Sequence, residues 1–311
     1  MVNSHKAQGN SQVFEKVLID SSYHPSPILK LQHLVSSVYS LVSRFQHPSS
    51  NFKFYLWSDM RLQLSNGKWI DTSKGFDISI AAVHGEGQLK AWWVDDVAIE
   101  PVMTDQFVGD VNQGGAVNFR NVRLNPHGNC THTECVGHIS KEFYSIDQCL
   151  KEFHFYAKLI TVTPKAIEAE ENGITDRVIT KELLSHEVIN MHDAKALIVR
   201  TTPNTQEKTK KDYSGTNPPY MTPEAMQYVN ALEVDHLLID LPSVDRESDG
   251  GAVECHHIFW DYPNAPQLHK TITEVIYVDD SIQDGDYFVN IQIMSIENDA
   301  APSKVVLYEM Y

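Results

Sequence analysis

The spacing of apolar and polar residues along the chain predicts several elements. In Ile28–Phe45 apolar residues recur at steps of three and four, which predicts an amphipathic helix. We expect this helix to pack on the core of its own subunit, the alternative being an arm that packs on a second subunit. Ala194–Thr201 has the continuous apolar run of a strand covered on both faces. In Tyr287–Ile296 apolar and polar residues alternate, which predicts a strand with one buried face.

Turn and capping residues mark the ends of other predicted elements. Asn66-Gly67 predicts a hairpin within Leu62–Ile70. Thr222-Pro223-Glu224 supplies the cap, the proline and the acid that favour the start of a helix. Thr180, with Glu182 in the first turn, also predicts the start of a short helix. Because strands outnumber helices and helices fall between some of them, the predicted fold class is a mixed α/β domain with a sheet-rich core. Further strands are predicted at Phe76–Val83, Ala116–Leu124, Phe153–Val162, His236–Leu241, Ile272–Val278 and Lys304–Tyr308.

Composition and charge narrow the classes of function. The chain of 311 residues has a formal net charge of −16, which argues against a nucleic acid or an anionic membrane surface as partner. Its four cysteines have no regular spacing, so they do not form a disulfide framework. Met1–Asn10 lacks the apolar region of a signal peptide, and no apolar stretch approaches membrane-spanning length. We therefore expect a cytoplasmic protein that acts on a small-molecule substrate.

The candidate chemistry lies in one stretch, which reads His-Gly-Asn-Cys-Thr-His-Thr-Glu-Cys-Val-Gly-His from His127 to His138. Imidazole and carboxylate are the usual protein ligands of zinc and related divalent ions. His132, Glu134 and His138 share parity, so an extended backbone would place all three side chains on one face. Gly137 suits a backbone that turns tightly or approaches another group closely. The stretch therefore predicts a metal centre.

A closed structural zinc site is the competing interpretation of the same stretch. It would combine Cys130 and Cys135 with two histidines. These cysteines do not form a Cys-x-x-Cys pair, and Cys149 and Cys255 stand alone in the sequence. The chain contains 15 histidines, so a single histidine would be an ordinary residue, and it is the density of the cluster that favours metal binding.

Several motifs resemble, in the same order, those of the cyclase family of metal-dependent hydrolases, which includes bacterial kynurenine formamidase and isatin hydrolase. Thr131–His138 resembles the family signature His-x-Gly-Thr-His-x-Asp-x-Pro-x-His. Later stretches resemble the family's Arg-Thr-Gly strand, a helix start, an Asp-Thr-x-Ser-x-Asp loop, a histidine before an apolar run and an Ile-x-Glu strand. In this chain they are Leu197–Thr201, Thr222–Ala225, Asp240–Asp245, His256–Trp260 and Ile272–Val275. The resemblance covers about residues 70 to 311.

This resemblance implies a fold and a set of site residues. It implies a swivelling β/β/α-type single domain over residues 71–311, after an N-terminal extension over residues 1–70 that contains the amphipathic helix. It implies a homo-oligomer, as a dimer or a tetramer. His138 would be the catalytic acid/base, and His257 is a competing choice for one ligand. The implied ligands of one or two divalent ions, zinc first and manganese second, are His127, His132, Glu134, His256 and Glu274.

The sequence departs from the family signature at three points. One extra residue lies between His127 and Thr131, Glu134 replaces the signature aspartate, and Val136 replaces the signature proline. The three changes preserve the ligand chemistry, because the only altered ligand is Glu134, whose side chain is a carboxylate one methylene longer than that of aspartate. The departures leave the substrate and the number of metal ions open.

The resemblance implies a metal-dependent hydrolase that cleaves a C–N amide bond, of the aryl formamide or cyclic imide type. A metal-activated water would attack the carbonyl, and His138 would move the protons. The alternatives are a cyclase or dehydratase with the same metal, a lactone hydrolase, and a non-catalytic metal-binding relative. His138 argues against the last, because a protein without turnover does not need a proton carrier at this spacing. A serine esterase is disfavoured, since the chain has no Gly-x-Ser-x-Gly motif.

Overall fold

A computed structural model of the chain describes residues 60–168, 175–188, 190–191 and 193–311. The predicted helix Ile28–Phe45 lies outside the described residues, and the boundary near residue 70 stays a prediction.

The helices are α1 (Pro126–Asn129), α2 (Ile146–Cys149), α3 (Lys181–Glu187), α4 (Pro223–Ala231) and α5 (Glu254–Trp260). The strands are β1 (Arg61–Gln63), β2 (Trp69–Asp71), β3 (Phe76–Asp77), β4 (Ala98–Pro101), β5 (Met103–Thr104), β6 (Phe107–Val108), β7 (Arg120–Arg123), β8 (His132–Glu134), β9 (His154–Val162), β10 (Lys165–Glu168), β11 (Thr175–Ile179), β12 (Ala196–Thr201), β13 (Tyr220–Met221), β14 (His236–Ile239), β15 (Thr271–Glu274), β16 (Gly285–Ile293) and β17 (Ala300–Glu309).

One sheet of the described chain closes on itself. Its order is β16-β9-β12-β14-β15-β8-β17, and β17 pairs back with β16. Strands β9, β12, β14 and β15 run parallel, whereas β8 runs antiparallel to both β15 and β17. Strand β3 pairs with β17 outside the ring. The predicted fold class, α/β with a sheet-rich core, is confirmed.

The two faces of the ring form two hydrophobic cores, as β12 illustrates. Leu197 and Val199 pack in a cluster with residues of α3, α4 and α5, which cover the outer face. Ala196 and Ile198 belong to a second cluster, built from the opposite faces of the ring strands. The continuous apolar run of β12 follows from this burial, because the side chains on both faces of the strand pack against apolar neighbours.

Local capping explains why two helices are predicted and a third is not. Thr180 and Thr222 each accept a hydrogen bond from a backbone N–H in the first turn of α3 and α4. Helix α5 has no cap in the adjacent sequence, since Val253 at its start has a left-handed backbone and no capping side chain. The carboxylate of Asp245 accepts hydrogen bonds from two N–H groups of the first turn, those of Cys255 and His256. A cap from ten residues upstream is not readable as a local pattern.

Three predicted strands are too long. The prediction Phe76–Val83 is reduced to β3 at Phe76–Asp77, followed by an isolated bridge at Ser79. The prediction Ala116–Leu124 is reduced to β7, which pairs with β4 in an exposed ribbon outside the ring. The prediction Ile272–Val278 is reduced to β15, which ends at Glu274 because Val275 has a positive φ of 48°.

None of the helices in the described ranges combines the length and the apolar character that a membrane span requires.

Candidate metal centre

Strand pairing places the first three residues of the site. Strand β8 lies between β15 and β17, with His132 opposite Glu274 and Glu134 opposite Ala300. Opposite residues of an antiparallel pair have their Cβ atoms about 5 Å apart. His132 Nε2 accordingly lies 3.5 Å from Glu274 Oε2. The alternation along β8 directs His132 and Glu134 to the same face, as the shared parity predicts.

His127 and His138 reach the cluster on helical turns that flank β8. His127 lies in α1, and its Nδ1 is 3.2 Å from Glu134 Oε2 in spite of the extra residue in the signature. His138 ends a 3₁₀ turn that begins at Val136, and its Nδ1 is 3.8 Å from the same oxygen. The backbone is therefore not extended as far as His138, although its side chain still joins the cluster. Gly137 is required in this turn, because a Cβ there would overlap the carbonyl oxygen of Tyr144.

The downstream histidine in the cluster is His256 and not its neighbour. His256 Nε2 lies 3.1 Å from Glu134 Oε1 and 3.9 Å from Glu274 Oε1. His257 makes a 2.9 Å hydrogen bond from its Nδ1 to the carbonyl of Tyr262. Successive residues of a helix point about 100° apart, so α5 directs only one of the pair towards Glu134.

The structure thus brings all six predicted site residues together, and their roles stay predictions. Two sets of ligand atoms each lie within 4.8 Å of one another: one set comes from His127, Glu134 and His138, the other from His132, Glu134 and Glu274. Glu134 belongs to both sets, so it could bridge two ions. Neither set, within the described ranges, contains a cysteine.

Two buried polar atoms make the case that these residues fit a metal ion. His132 Nε2 and Glu134 Oε2 have no aligned hydrogen-bond partner among the described residues. The 3.2 Å approach of His127 Nδ1 to this oxygen is a contact between ion-pair partners without hydrogen-bond alignment. Buried polar atoms without a partner are rare in native proteins and costly. A divalent ion with imidazole and carboxylate ligands would satisfy both atoms.

His132 and His256 are buried beside Glu274, and a hydrogen-bond acceptor holds the Nδ1 atom of each ring. His132 Nδ1 lies 3.2 Å from the carbonyl oxygen of Cys130, and His256 Nδ1 lies 2.5 Å from Asp245 Oδ2. A carbonyl or carboxylate oxygen can only accept, so both Nδ1 atoms donate. In the neutral form of each ring, which metal binding requires, Nε2 is then the atom with a lone pair for the metal. This arrangement is the usual way in which proteins orient histidine ligands.

Asp299 completes the cluster and was not predicted from the sequence. Its Oδ2 lies 2.9 Å from His127 Nε2 and 3.2 Å from His138 Nδ1. Asp299 immediately precedes β17, and its backbone carbonyl accepts a 3.0 Å hydrogen bond from Cys135 N. No local motif marks it, because the β17–β8 pairing carries it to the site.

The electrostatics of the cluster fit a cation. Burial alone would lower the pKa of His127, but the hydrogen bond to Asp299 and the close contact with the carboxylate of Glu134 raise that pKa to about 10. The pKa of His256 is raised well above its usual value, because hydrogen bonds to Asp245 and Glu134 outweigh burial. Burial lowers the pKa of His132 to about 3, so this ring is neutral. A cluster that otherwise takes up protons is one where a divalent ion can replace them.

The pKa values of the two buried glutamates, Glu134 and Glu274, are shifted in opposite directions. Burial, and next the charge of Glu134, raise the pKa of Glu274 well above its usual value. Burial also opposes ionisation of Glu134, but the electrostatic interaction with His138, the close contact with His127 and the hydrogen bond with His256 lower its pKa. Two carboxylates in one buried site cannot both stay ionised without a cation.

The cluster forms part of the wall of a cavity of about 320 Å³. His127, His138, His256 and Glu274 line it on one side. The remaining lining includes both apolar and charged side chains, among them Trp92, Val94, Arg246, Asp249 and Val253. The structure thus provides room for a small molecule beside the histidines.

The cysteines of the stretch make no contact that would support the closed zinc site. Cys130 Sγ points to the carbonyl of Pro126 at 4.0 Å, and Cys135 Sγ to that of Tyr144 at 3.6 Å. Burial raises the pKa of Cys130 to about 12, which disfavours the thiolate that zinc requires. The competing interpretation with these two cysteines is therefore not supported.

The sequence profile of the cyclase family, described as "Putative cyclase", matches residues 47–246. Because this match spans more than half of the 311 residues, the chain belongs to the cyclase family. No protein of curated function matches the chain in sequence.

Solved structures show the same fold at low sequence identity. The chain is similar to a "predicted metal-dependent hydrolase from Bacillus stearothermophilus", with 17% identity, a TM-score of 0.51, and coverage of 76% of this chain and 98% of that one. It is similar to an isatin hydrolase bound to the product analogue thioisatinate, with 13% identity, a TM-score of 0.51, and coverage of 92% and 100%. It is also similar to isatin hydrolase A from Labrenzia aggregata, with 14% identity, a TM-score of 0.53, and coverage of 76% of this chain and 93% of that one. The chain therefore has the fold of the cyclase-family metal-dependent hydrolases.

Proposed function

We propose that this chain is a metal-dependent hydrolase that cleaves a non-peptide C–N amide bond, in an aryl formamide or a cyclic imide. The observation that carries the proposal is that two buried atoms of the cluster, His132 Nε2 and Glu134 Oε2, have no hydrogen-bond partner in the described chain. They lie behind the cavity that His127, His138, His256 and Glu274 help to line. Three of the similar structures are isatin hydrolases, and that name motivates the amide substrate.

Five side chains would hold the ion, and zinc is the first candidate. Their atoms offer three imidazole nitrogens and two carboxylates, a set that zinc accepts and that also suits manganese. When bound, the ion would polarise a scissile carbonyl and lower the pKa of a water molecule. The proposed ligands are His127, His132, Glu134, His256 and Glu274.

His138 is the proposed acid/base. It lines the cavity, and its side chain is 31% exposed, more than those of the proposed ligands. An exposed imidazole beside the reaction space can take a proton from the attacking water and return it to the leaving nitrogen. Trp92 and Val94 present apolar surface in the same cavity, against which a planar organic group can pack.

A substrate screen on defined metal forms tests the proposal. The purified protein is stripped with a chelator, reloaded with zinc or manganese, and incubated with aryl formamides, cyclic imides and lactones. We expect hydrolysis of an amide that depends on the metal, disappears in Glu134→Gln and survives in His257→Ala. Amide substrates that stay intact in every metal-loaded sample would contradict the proposal, and hydrolysis of lactones alone would favour the alternative activity.

The homo-oligomeric assembly that the resemblance implies is also a proposal. Sedimentation of the metal-loaded protein at several concentrations tests it, with a dimer or tetramer expected and a monomer at all concentrations as the contrary result.

A further inference from the structure

One carboxylate oxygen is shared by two histidines of the site. Asp299 Oδ2 lies 2.9 Å from His127 Nε2 and 3.2 Å from His138 Nδ1. An ionised carboxylate oxygen accepts hydrogen bonds and cannot donate them. An aspartate has a reference pKa of about 3.9, so its carboxyl group is ionised at neutral pH. Each of the two ring nitrogens must therefore carry a proton.

These two protons decide which nitrogen of each ring stays available. When the ring of His127 is neutral, as metal binding requires, and its Nε2 donates to Asp299, Nδ1 is left with a lone pair. This atom lies 3.2 Å from the partnerless Glu134 Oε2. With Nδ1 of His138 donating to Asp299, its Nε2 is left. The nitrogen of His138 that lies nearer to Glu134, at 3.8 Å, is thereby taken out of metal binding.

We propose that Asp299 is a positioning residue that assigns opposite tasks to the two histidines, leaving Nδ1 of His127 to bind metal and Nε2 of His138 to transfer protons. This inference rests on the proposed function and deepens it. It explains how two histidines on the same side of Glu134 can differ in role, although atom positions alone would allow either to be a ligand.

The backbone holds Asp299 firmly enough for this task. Its carbonyl accepts a 3.0 Å hydrogen bond from Cys135 N, and the following residue, Ala300, stands opposite Glu134 in the β17–β8 pair. A positioning group needs such support, because an orienting hydrogen bond is effective only when its acceptor is itself fixed.

The experiment reads the protonated nitrogens directly. Histidine-selective ¹⁵N labelling of the zinc-loaded protein, with His127→Asn and His138→Asn used to assign the signals, identifies which nitrogen of each ring bears hydrogen. We expect His138 to be protonated at Nδ1, and His127 to bind zinc through Nδ1 and bear hydrogen at Nε2. A His138 that bears its proton at Nε2, or a His127 that binds zinc through Nε2, overturns the proposal.

Substitutions of Asp299 give the second measurement. Asp299→Ala removes the acceptor, so His138 should lose its Nδ1–H preference and zinc affinity should fall about 10- to 100-fold, as for other partners of metal-binding histidines. In the zinc-saturated variant, kcat should fall by a similar factor with little change in KM. Asp299→Asn keeps an acceptor oxygen and should recover part of both losses. A purely structural role would lower stability without moving the tautomers or kcat.

Glu297→Ala is the matched control, because it removes an exposed carboxylate two residues earlier in the same segment. We expect it to leave the tautomers, the zinc affinity and kcat unchanged. Asp299→Ala variants that behave like this control contradict the inference. If the zinc-loaded protein shows Asp299-dependent tautomers but hydrolyses no amide, the proposed function fails, whereas the assignment of the ring nitrogens by Asp299 stands.

Discussion

Glu134 Oε1 lies 3.1 Å from His256 Nε2, although 122 positions separate the two residues in the chain. Glu134 stands in β8 of the closed ring, and His256 in α5, which packs against the outside of that ring. The contact joins a carboxylate from the signature to a histidine from a distant part of the domain. The candidate metal centre therefore depends on the packing of α5 against the ring.

The first prediction concerns metal content. His132→Ala and Glu134→Ala should each remove most of the bound zinc, because each deletes a buried ligand that the other groups cannot replace. Zinc per chain, measured by atomic emission on purified protein, checks this. His257→Ala is the control and should retain zinc, since its Nδ1 bonds to Tyr262 instead. Full occupancy in both ligand variants would refute the assignment.

The second prediction concerns Asp245. Its carboxylate accepts the Nδ1 proton of His256 and two N–H groups at the start of α5. Asp245→Asn keeps an acceptor oxygen but loses the charge, so zinc affinity should fall about 10- to 100-fold. Competition with a chromophoric chelator measures this. Asp279→Asn, at an exposed turn, should bind zinc as the unaltered protein does, and equal loss in both variants would point to a general charge effect.

The third prediction concerns protons released on metal binding. In the metal-free protein the pKa of His127 is raised to about 10 and that of His256 is also raised, so both rings hold extra protons at pH 7. Ligation requires neutral imidazole, so zinc must displace these protons, and affinity should fall as pH falls. Calorimetry in buffers of different ionisation enthalpy counts the protons. Affinity that stays constant from pH 8 to pH 6 would be the contrary result.

The fourth prediction separates His138 from the ligands. His138→Ala and His138→Asn should retain zinc but lose turnover by a factor of about 10² to 10⁴, the usual contribution of a general acid/base. Neither alanine nor asparagine can carry the proton. Metal content and single-turnover rate are measured on one preparation. Zinc loss in parallel with activity would make His138 a ligand, and unchanged activity would make it a packing residue.

The fifth prediction concerns stability and pH at a histidine away from the site. His236 is buried in β14, with Nδ1 2.9 Å from Thr271 Oγ1, and burial lowers its pKa from 6.5 to about 4. Between pH 6.5 and about pH 4 the side chain of His236 is protonated in the unfolded chain and neutral in the folded chain. The free energy of unfolding therefore decreases as pH falls through this range. From pH 7 to pH 5 His236 should contribute a loss of about 2 kcal/mol.

Urea unfolding of the chelated protein at both pH values measures that loss. His236→Asn keeps a polar group beside Thr271 and should reduce the difference between the two pH values by roughly this amount. His186→Asn is the control, because the side chain of His186 is 84% exposed and should contribute little. An unchanged pH dependence in His236→Asn would show that its ring titrates normally in the folded protein.

Some elements could be predicted because their causes are local. The caps Thr180 and Thr222 act on the next turn of chain, and the burial of β12 on both faces is visible as an unbroken apolar run. Helix α5 was missed because its cap, Asp245, comes from another loop. The strand predicted at Phe76–Val83 was too long because its pairing partner, β17, lies at the far end of the chain.

The residue types of the candidate site follow from the sequence alone, because His127, His132, Glu134 and His138 stand in one short stretch. Tertiary structure alone decided which distant groups complete it. It selected His256 over His257 through the direction of α5, and it brought Asp299 to two histidines through the pairing of β17 with β8. The physical reason is that ligand type is a property of a residue, whereas distance and hydrogen-bond partner depend on packing between segments far apart in the chain.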